Sequence, residues 1–538
     1  MDKKLIFLLP ILSGVLLIFS YPPYSVKFLL WLALVPLLIF INFDLTKKKI
    51  FGGGFLTGLI FSGVTTSWFL LASVADWVGT EKKIVIILIL ALTWLCYVIL
   101  ASFFCGIVAY LFFRLKSKNW LDIFLFPSLW VIFEYLRAWG LTIFTLGPGS
   151  LSGPHYTLGH LGYAAANSPF LFLAGFGGVY ILSFFIVLVN YLIFFFLVYF
   201  KKPFFSKRNL TKFGIAFSVI FLAFLAAHFQ NTLNISDARN KKSIPITIIQ
   251  TNFPSLFSYT PQQEKEFLDI KLDLFRQASQ EKEWPRIIVF PEHSNFLEKL
   301  NFFYPSFLSS ENAMNGKQAL VIDSGWHSSE NTGAAVTRLI YLDFQTQGII
   351  NSYDKMLLMP VGDYLPYFLT AILNLTGHQD WIVNMEMSRG YERGNELTVV
   401  EYNGVKIGGL MCSEVISPYL YRGLARNGAE ILISVASDAI FKGDKLLLKQ
   451  LLAIAQTRAA ENDRYFIQAA NQGNSFVIDN QGNIVVKTER VDNEIINGEV
   501  KALTNRTFYN RFGDWILILA GLIVSSAILV KTGFPFRR

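Results

Sequence analysis

Long apolar runs separated by short polar segments fill the first 230 residues of the chain, and one more such run lies near its end. Eight runs are long enough to cross a hydrocarbon core of ~30 Å as helices. They are Leu5 to Ser20, Phe28 to Phe43, Gly52 to Ala72, Ile84 to Phe113, Leu121 to Ala138, Leu171 to Phe200, Phe213 to Phe229 and Trp515 to Val530. The first is short, so a signal peptide is the competing interpretation, but no small-residue cleavage site follows it. The pattern predicts a seven-span helical domain over residues 1–230 and an eighth transmembrane helix over residues 513–531.

Between Lys241 and Arg506 the pattern changes, and short β-rich runs alternate with helical or loop segments. Continuous apolar strands indicate a sheet that is covered by helices on its faces. The segment Lys445 to Arg464 has helical spacing and is one candidate for such a cover. We therefore predict an α/β layered domain over residues 241–506. Its predicted strands are IPITIIQTN, RIIVFPE, ALVIDSG, RLIYLDF, GIINSYDK, VKIGGLMCSE, EILISVAS, RYFIQAAN and SFVIDNQGNIVVKT.

Composition and charge support a membrane location. Of the 538 residues, 53% are hydrophobic and only 16% are charged, which is unusual for a soluble domain of this length. The net charge of +9 gathers beside the apolar runs instead of forming a basic face, so it indicates membrane topology and not nucleic-acid binding. The basic clusters are Lys3-Lys4, Lys47 to Lys49, Arg114 to Lys118, Lys201 to Lys212 and Arg537-Arg538.

With a cytoplasmic N-terminus, every basic cluster falls on the cytoplasmic side, as the positive-inside rule expects. Seven spans then precede the layered domain, which places it outside the cytoplasm and returns the C-terminus to the cytoplasm. The long glycine-rich loop from Trp139 to Pro169 falls on the same outer side. This loop is either part of a lipid entrance or a surface connection without a direct role.

Three residues with chemical potential follow predicted strands of the layered domain. Glu292 ends RIIVFPE, Lys355 follows GIINSYD, and Cys412 ends VKIGGLMC, at the strand ends where open α/β sheets place their sites. Singly, such residues are usually a solvated carboxylate, a surface charge and a core thiol. Together they supply the base, the cation and the nucleophile of covalent acyl transfer. The lysine would also lower the thiol pKa and stabilise an oxyanion.

The motifs around these residues resemble the Glu-Lys-Cys signature of the nitrilase superfamily. The matching segments are FPE at Glu292, YDK and MPVGDYLP at Lys355, and CSE with RGLARNGAEILISVASDAIF at Cys412. The spans narrow the resemblance, because FSYPPYSVKFLLWLALVPLL, LWVIFEYLRAWG and GFGGVYILSFFIVLVN are similar to apolipoprotein N-acyltransferases. This resemblance implies eight transmembrane helices joined to an αββα sandwich in the periplasm, anchored in a bacterial inner membrane.

The resemblance also implies a reaction without a cofactor. A phospholipid would donate an acyl chain to Cys412 as a thioester, and the α-amino group of a diacylglyceryl-cysteine at an apolipoprotein N-terminus would accept it. Glu292 would act as general base and acid, and Lys355 would stabilise the oxyanion. Asp363 and Glu414 would not react themselves but would hold these three residues in position.

Five positions depart from the family pattern. A glutamate is expected at Asp363, an aromatic residue at Ser413 and a small residue at His293, and the run Asn-Asp-Ala-Trp-Phe is expected where Ser437 to Phe441 reads SDAIF, so Ser437 and Ile440 also differ. Asp363 keeps its carboxylate but is one methylene shorter, so it would preserve its contact only if the backbone lay closer. The other departures concern the fit of the substrate more than the chemistry.

Two alternatives differ from acyl transfer. The first is a membrane-tethered amidase, although a soluble substrate does not require eight spans. The second is a transporter or a non-catalytic lipid-binding relative, but transporters usually place ionisable residues within their spans. Only Glu134 and Arg137 approach this description, and an ion pair that orients the following loop is the simpler explanation. The six histidines show no metal-ligand spacing, so we expect no metal.

The segment Leu365 to Val383, just after the Lys355 motif, is more apolar than an exposed loop should be. One interpretation is a lid that dips into the bilayer, since apolar helices can lie in the membrane interface. The other is an ordinary packed helix.

Overall fold

The computed structural model describes residues 5–72, 83–117, 121–199, 240–254, 259–280, 287–305, 318–329, 332–389 and 391–532, with residue 307 and scattered positions from 214 to 238. The basic clusters Lys3-Lys4, Lys201 to Lys212 and Arg537-Arg538 lie outside the described residues, as does most of the predicted span Phe213 to Phe229.

The N-terminal part is helical, as its apolar runs predict. Its helices are α1 (Leu8–Ser20), α2 (Val35–Ile41), α3 (Lys47–Thr65), α4 (Lys83–Leu115), α5 (Asp122–Phe144) and α6 (Ala174–Tyr199). Within the described part, the stretches Ile86–Leu115, Leu171–Val198 and Trp515–Thr532 have the length and hydropathy of a membrane span. Leu5–Ser20 and Leu29–Ile41 are apolar but shorter.

Small residues let two of these helices approach closely. A Cβ atom at Gly54 of α3 would lie 2.6 Å from both the Ala109 Cβ and the Cys105 carbonyl oxygen of α4. Such small-residue contacts are typical of helices that pack in membranes, where close backbone approach replaces the hydrophobic driving force. Cys105 therefore lies in a helix interface, as expected for a thiol that behaves as a small hydrophobe.

In the second part, the residues that the structure describes form twelve strands. They are β1 (Ser243–Gln250), β2 (Ile287–Val289), β3 (Leu320–Ser328), β4 (Ala335–Asp343), β5 (Gly348–Asp354), β6 (Val399–Tyr402), β7 (Val405–Met411), β8 (Ile431–Ser437), β9 (Tyr465–Asn471), β10 (Phe476–Ile478), β11 (Ile484–Lys487) and β12 (Glu494–Lys501). One sheet has the order β12-β1-β2-β3-β4-β5, and the other has the order β11-β10-β9-β8-β7-β6. In both, the three central strands are parallel and the outer ones antiparallel.

The remaining helices complete the fold. They are α7 (Pro261–Gln280), α8 (Phe296–Phe303), α9 (Tyr367–Leu375), α10 (Gln379–Arg389), α11 (Pro418–Arg426), α12 (Lys445–Asn462), α13 (Phe508–Phe512) and α14 (Trp515–Thr532). Helices α7 and α8 share an apolar cluster with the outer face of the first sheet. Helices α11 and α12 pack on the second sheet.

The two sheets face each other directly. At Gly409 of β7, a Cβ atom would lie 2.7 Å from the Leu339 side chain and the Tyr341 hydroxyl of β4, so only glycine allows this approach. The layers are therefore helix, sheet, sheet and helix, which confirms the expected α/β sandwich. Each predicted strand segment and the helix predicted from Lys445 are present, but SFVIDNQGNIVVKT forms two antiparallel strands, β10 and β11, and β6 and β12 were not predicted.

Helix α12 lies between the sandwich and the membrane helices, and almost every residue from Leu447 to Asn462 is buried. Its N-terminus is capped by Asp444, whose side chain accepts a hydrogen bond from the Leu447 N–H at 3.0 Å. Gln450 donates to the Thr65 carbonyl oxygen, at the end of α3, at 2.8 Å. The sandwich therefore contacts the C-terminal end of α3, the end that is far from Lys47.

Candidate active site

The three residues predicted to react line one cavity of about 430 Å³. Glu292 lies three residues after β2, Lys355 directly after β5 and Cys412 directly after β7. Glu292 and Lys355 are each only 4% exposed, so their charges interact with little screening by water. The strand ends of the two facing sheets bring together residues that are far apart in sequence.

Lys355 is the charge centre of the site. Its Nζ lies 3.2 Å from the Glu292 Oε1 atom and 3.2 Å from the Asp363 Oδ2 atom. Burial works against the charged form, but the carboxylates of Asp363 and Glu292 outweigh it and hold the pKa of Lys355 well above its ordinary value. Lys355 is therefore a cation through the neutral pH range, as an oxyanion stabiliser must be.

Asp363 reaches Lys355 despite its shorter side chain. Its Oδ2 also accepts a hydrogen bond from the Met359 N–H at 2.9 Å, because the chain turns back between these two residues. Burial raises the pKa of Asp363, but Lys355 and the Met359 N–H lower it further, so the net shift is downward. Asp363 therefore keeps a direct contact with Lys355.

Cys412 begins the short 3-10 helix Cys412–Ile416 and has a φ of +44°. A non-glycine residue rarely adopts this left-handed conformation, and such strain is concentrated at functional sites. Burial and the nearby Glu292 carboxylate raise the pKa of the thiol well above its ordinary value, although Lys355 lowers it. The net effect of the surroundings is thus opposite to the one predicted from Lys355 alone. The thiol stays protonated until a base removes its proton.

Glu414 joins the Lys355 segment to the Cys412 segment. It is fully buried, and its two carboxylate oxygens accept four hydrogen bonds of 2.6–3.0 Å. The donors are the Tyr353 hydroxyl and the backbone N–H groups of Met356, Leu357 and Met411. Since these donors flank both Lys355 and Cys412, the carboxylate fixes these two residues relative to each other.

The other departures from the family pattern lie around the same cavity. The Ser413 hydroxyl donates to the Leu357 carbonyl oxygen at 2.7 Å and so adds another tie between the two segments. His293 lies on the cavity wall with its Nε2 atom 3.8 Å from Glu292 Oε1. Ile440 packs against the apolar cluster of Ala72, Ile86 and Leu90 in the membrane part.

The cavity continues from the reactive residues to the membrane helices. Its far wall includes Trp68, Phe69 and Leu90, and Trp68 packs edge-on against Phe441 of the sandwich at 5.0 Å. An apolar passage of this kind suits an acyl chain that enters from the side of the membrane.

The loop after α5 holds the segment that follows Cys412. Thr157 donates its hydroxyl hydrogen to the Ile416 carbonyl oxygen, and the His155 Nδ1 atom lies 2.8 Å from the Ser417 hydroxyl. Arg458 of α12 donates from Nε to the Val415 carbonyl oxygen at 3.2 Å. These ties were not predicted, and they give the glycine-rich loop a structural link to the site.

Glu134 and Arg137 orient this loop through separate contacts. Glu134 accepts the Leu161 N–H at 2.7 Å, and Arg137 donates to the Leu158 carbonyl oxygen at 3.2 Å. No direct ion pair between the two side chains is present in the described part of the chain, so the predicted pair was wrong although both residues do contact the loop.

Family models match the chain in two blocks. The model described as apolipoprotein N-acyltransferase N-terminal domain matches residues 13–192, and the model described as carbon-nitrogen hydrolase matches residues 246–507. The two blocks correspond to the helical part and the sandwich.

Curated relatives match the chain across both parts. One named apolipoprotein N-acyltransferase, from Geobacter metallireducens, is 27% identical and the match covers 99% of this chain and 95% of the relative. A second of the same name, from Pasteurella multocida, is 25% identical over 99% of this chain and 96% of its own. A third, from Pseudomonas syringae pv. tomato, is 24% identical over 89% and 88%.

Proposed function

Because the chain belongs to the apolipoprotein N-acyltransferase family, we propose that it moves a fatty acyl chain from a membrane phospholipid to the N-terminal diacylglyceryl-cysteine of apolipoproteins. The observation that carries this proposal is the cavity that joins Glu292, Lys355 and Cys412 to the apolar surface of Trp68 and Leu90. An acyl ester in the bilayer reaches the thiol through it. The reaction makes the last acylation of a lipoprotein.

The first half-reaction forms a thioester. Glu292 takes the proton from Cys412, a step that the raised thiol pKa makes necessary, and the thiolate attacks the ester carbonyl carbon. Lys355 stabilises the tetrahedral oxyanion, and Glu292 returns its proton to the departing lysophospholipid. The acyl group is left on the sulfur of Cys412.

The second half-reaction forms the amide. The free α-amino group of the apolipoprotein attacks the thioester carbonyl, again with Lys355 facing the oxyanion. Glu292 takes a proton from the nitrogen as the C–N bond forms and gives it to the departing Cys412 thiolate. The enzyme returns to its starting state, and no cofactor or metal takes part.

The chain crosses a bacterial inner membrane eight times in this proposal, with a membrane domain over residues 1–230, a catalytic domain over residues 241–506 and a last helix over residues 513–531. Lys116, after α4, donates to the carbonyl oxygen of Ile41, the last residue of α2, at 2.9 Å, and α3 begins at Lys47 soon after Ile41 in the chain. The sandwich contacts Thr65, at the other end of α3. The positive-inside rule then favours a periplasmic sandwich and cytoplasmic termini.

The reaction is tested with the purified protein in vesicles that contain a phospholipid labelled in its acyl chain and a diacylglyceryl-cysteine peptide. We expect labelled, N-acylated peptide together with lysophospholipid, and an acyl adduct on the intact protein when the peptide is left out. Release of free fatty acid without acylated peptide would favour the amidase alternative. Absence of adduct and of both products would favour a non-catalytic lipid-binding protein.

Helix α9 is proposed to lie on the lipid surface beside the site entrance. None of its residues is buried, and the Leu375 side chain is 88% exposed. Phe368 stacks on Phe144, at the outer end of α5, with ring centroids 4.3 Å apart. A helix packed into the protein would hide its apolar side chains, whereas an interfacial helix keeps them for the lipid.

Replacing Phe368 and Ile372 together by serine should reduce acylation from vesicles several-fold, because the helix loses apolar contacts with lipid. The melting temperature should stay within a few degrees of wild type, since neither side chain is buried. Asn374→Ser, on the same exposed helix, is the matched control and should retain full activity. An unchanged rate of acylation in the double variant would rule out the lid.

A further inference from the structure

Asp438 is a buried carboxyl on the wall of the catalytic cavity that the mechanism above does not use. It follows β8, is 3% exposed, and lines the same cavity as Glu292 and Cys412. Its Oδ2 atom has no hydrogen-bond partner among the residues that the structure describes. Buried carboxyls are normally paired or hydrogen-bonded, so this one is placed for a group that is not part of the protein.

The local structure holds the carboxyl in place. The Asp438 N–H donates to the Asn471 carbonyl oxygen at 2.9 Å, and the Asp438 carbonyl oxygen accepts the Phe441 N–H at 2.9 Å. A Cβ atom at Gly473 would lie 2.2 Å from Asp438 Oδ2, so the glycine leaves the room that the carboxyl occupies. The side chain is positioned by its backbone and by the space around it, without an ionic partner.

The groups that face Asp438 are acidic or uncharged. Glu292 and Cys412 are the titratable neighbours of Asp438. Ser437, the residue before Asp438, donates its N–H to Glu292 Oε2 at 3.1 Å. Lys355 contacts the other oxygen of Glu292. Burial, and then the charge of Glu292, raise the pKa of Asp438 to about 7. The carboxyl therefore changes its charge in the range in which an α-amino group, with an ordinary pKa of about 7.7–8.0, is mostly protonated.

The proton balance of the second half-reaction leaves a role for such a group. The acceptor arrives mainly as an ammonium ion, which cannot attack a carbonyl because its nitrogen has no free electron pair. Two protons must leave the nitrogen before a neutral amide is formed. Glu292 accounts for one of them, because it passes that proton to the Cys412 thiolate. The other proton needs its own acceptor.

We propose that Asp438 binds the α-ammonium group of the incoming apolipoprotein and accepts its first proton. The inference rests on the proposed function and assigns a second base to the same site. The Asp438 carboxylate becomes a carboxylic acid, and the freed amine attacks the thioester. Glu292 takes the second proton, the C–S bond breaks, and Glu292 protonates the Cys412 sulfur. Asp438 releases its proton to water after the product leaves.

The test separates the two half-reactions in the full-length protein. Asp438→Asn is first acylated from vesicles of labelled phosphatidylethanolamine, and the thioester is measured by intact mass. The isolated acyl-enzyme is then chased with a diacylglyceryl-cysteine peptide from about pH 6 to about pH 9, which spans the pKa of the amino group. In a parallel chase the nucleophile is hydroxylamine, which is uncharged at neutral pH. The control variant is Asp492→Asn, because Asp492 is an exposed residue of the same domain.

We expect the variant to form thioester at nearly the wild-type rate. Aminolysis by the peptide should be slower by about 10²-fold near neutral pH and should recover as the free amine forms at higher pH. Hydroxylamine should cleave both thioesters equally. Three results would each overturn the role of Asp438. The variant could slow thioester formation and aminolysis equally, it could slow cleavage by hydroxylamine as much as aminolysis by the peptide, or it could leave aminolysis unchanged. A wild-type protein that forms no thioester would instead refute the proposed function.

Discussion

Replacing Cys412 by alanine is expected to abolish acyl transfer, with a loss on the order of 10⁴-fold or more, because no other nucleophile replaces the thiol. The acyl adduct of the intact protein should disappear at the same time. The side chain is small and only partly buried, so the free energy of unfolding should change by less than about 1 kcal/mol. Label transfer, intact mass and thermal unfolding measure the three effects.

Cys96→Ala is the matched control for this variant. Cys96 is also a free and partly buried thiol, but it lies in α4 and does not line the cavity. Its replacement should leave both the adduct and the transfer rate unchanged. If Cys412→Ala still carried an acyl adduct, or still acylated the peptide, the nucleophile would have to be another residue.

Glu292→Gln is expected to slow thioester formation by about 10²–10⁴-fold, the usual contribution of a general base. Glutamine has the shape of glutamate, and its carbonyl oxygen can still accept the Ser437 N–H. The raised pKa of Cys412 keeps the thiol protonated near neutral pH, so without Glu292 the thiolate forms mainly at high pH. Its rate of thioester formation should therefore rise with pH, and stopped-flow mass analysis across the pH range measures this dependence.

Glu298→Gln is the control, because Glu298 is an exposed carboxylate on the wall of the same cavity. We expect wild-type kinetics from it. A Glu292→Gln protein that forms thioester at the wild-type rate would show that the thiol is deprotonated by another group.

The sequence predicted the strands that are buried on both faces, because they read as continuous apolar runs. Strands β7, β8 and β9 are of this kind. It did not predict β12, whose segment EIINGEVK mixes charges and a glycine with apolar residues and is only half-buried. This strand forms because it pairs along its whole length with β1, and a partner so distant in sequence leaves no local signal.

The candidate site also combines features that the local sequence predicts with features that depend on residues distant in the chain. The meeting of Glu292, Lys355 and Cys412 in one cavity could be predicted, because each lies at the end of a recognisable strand. The hydrogen bonds that hold the segment after Cys412 in place could not be predicted, because Thr157 is 259 residues from Ile416 and belongs to the other part of the chain. The sequence predicted that Lys355 lowers the pKa of the thiol, but it did not reveal the desolvation and the Glu292 charge that together outweigh this effect.

The cavity wall formed by Trp68, Phe69 and Leu90 has a kinetic consequence. A substrate that enters past these residues arrives by diffusion within the membrane plane and never dissolves in the aqueous phase. The mole fractions of donor and acceptor in the leaflet then determine the rate of turnover, and their concentrations in the bulk solution do not. Diluting both lipids with an inert one slows the enzyme even when the amount of each in the sample is unchanged.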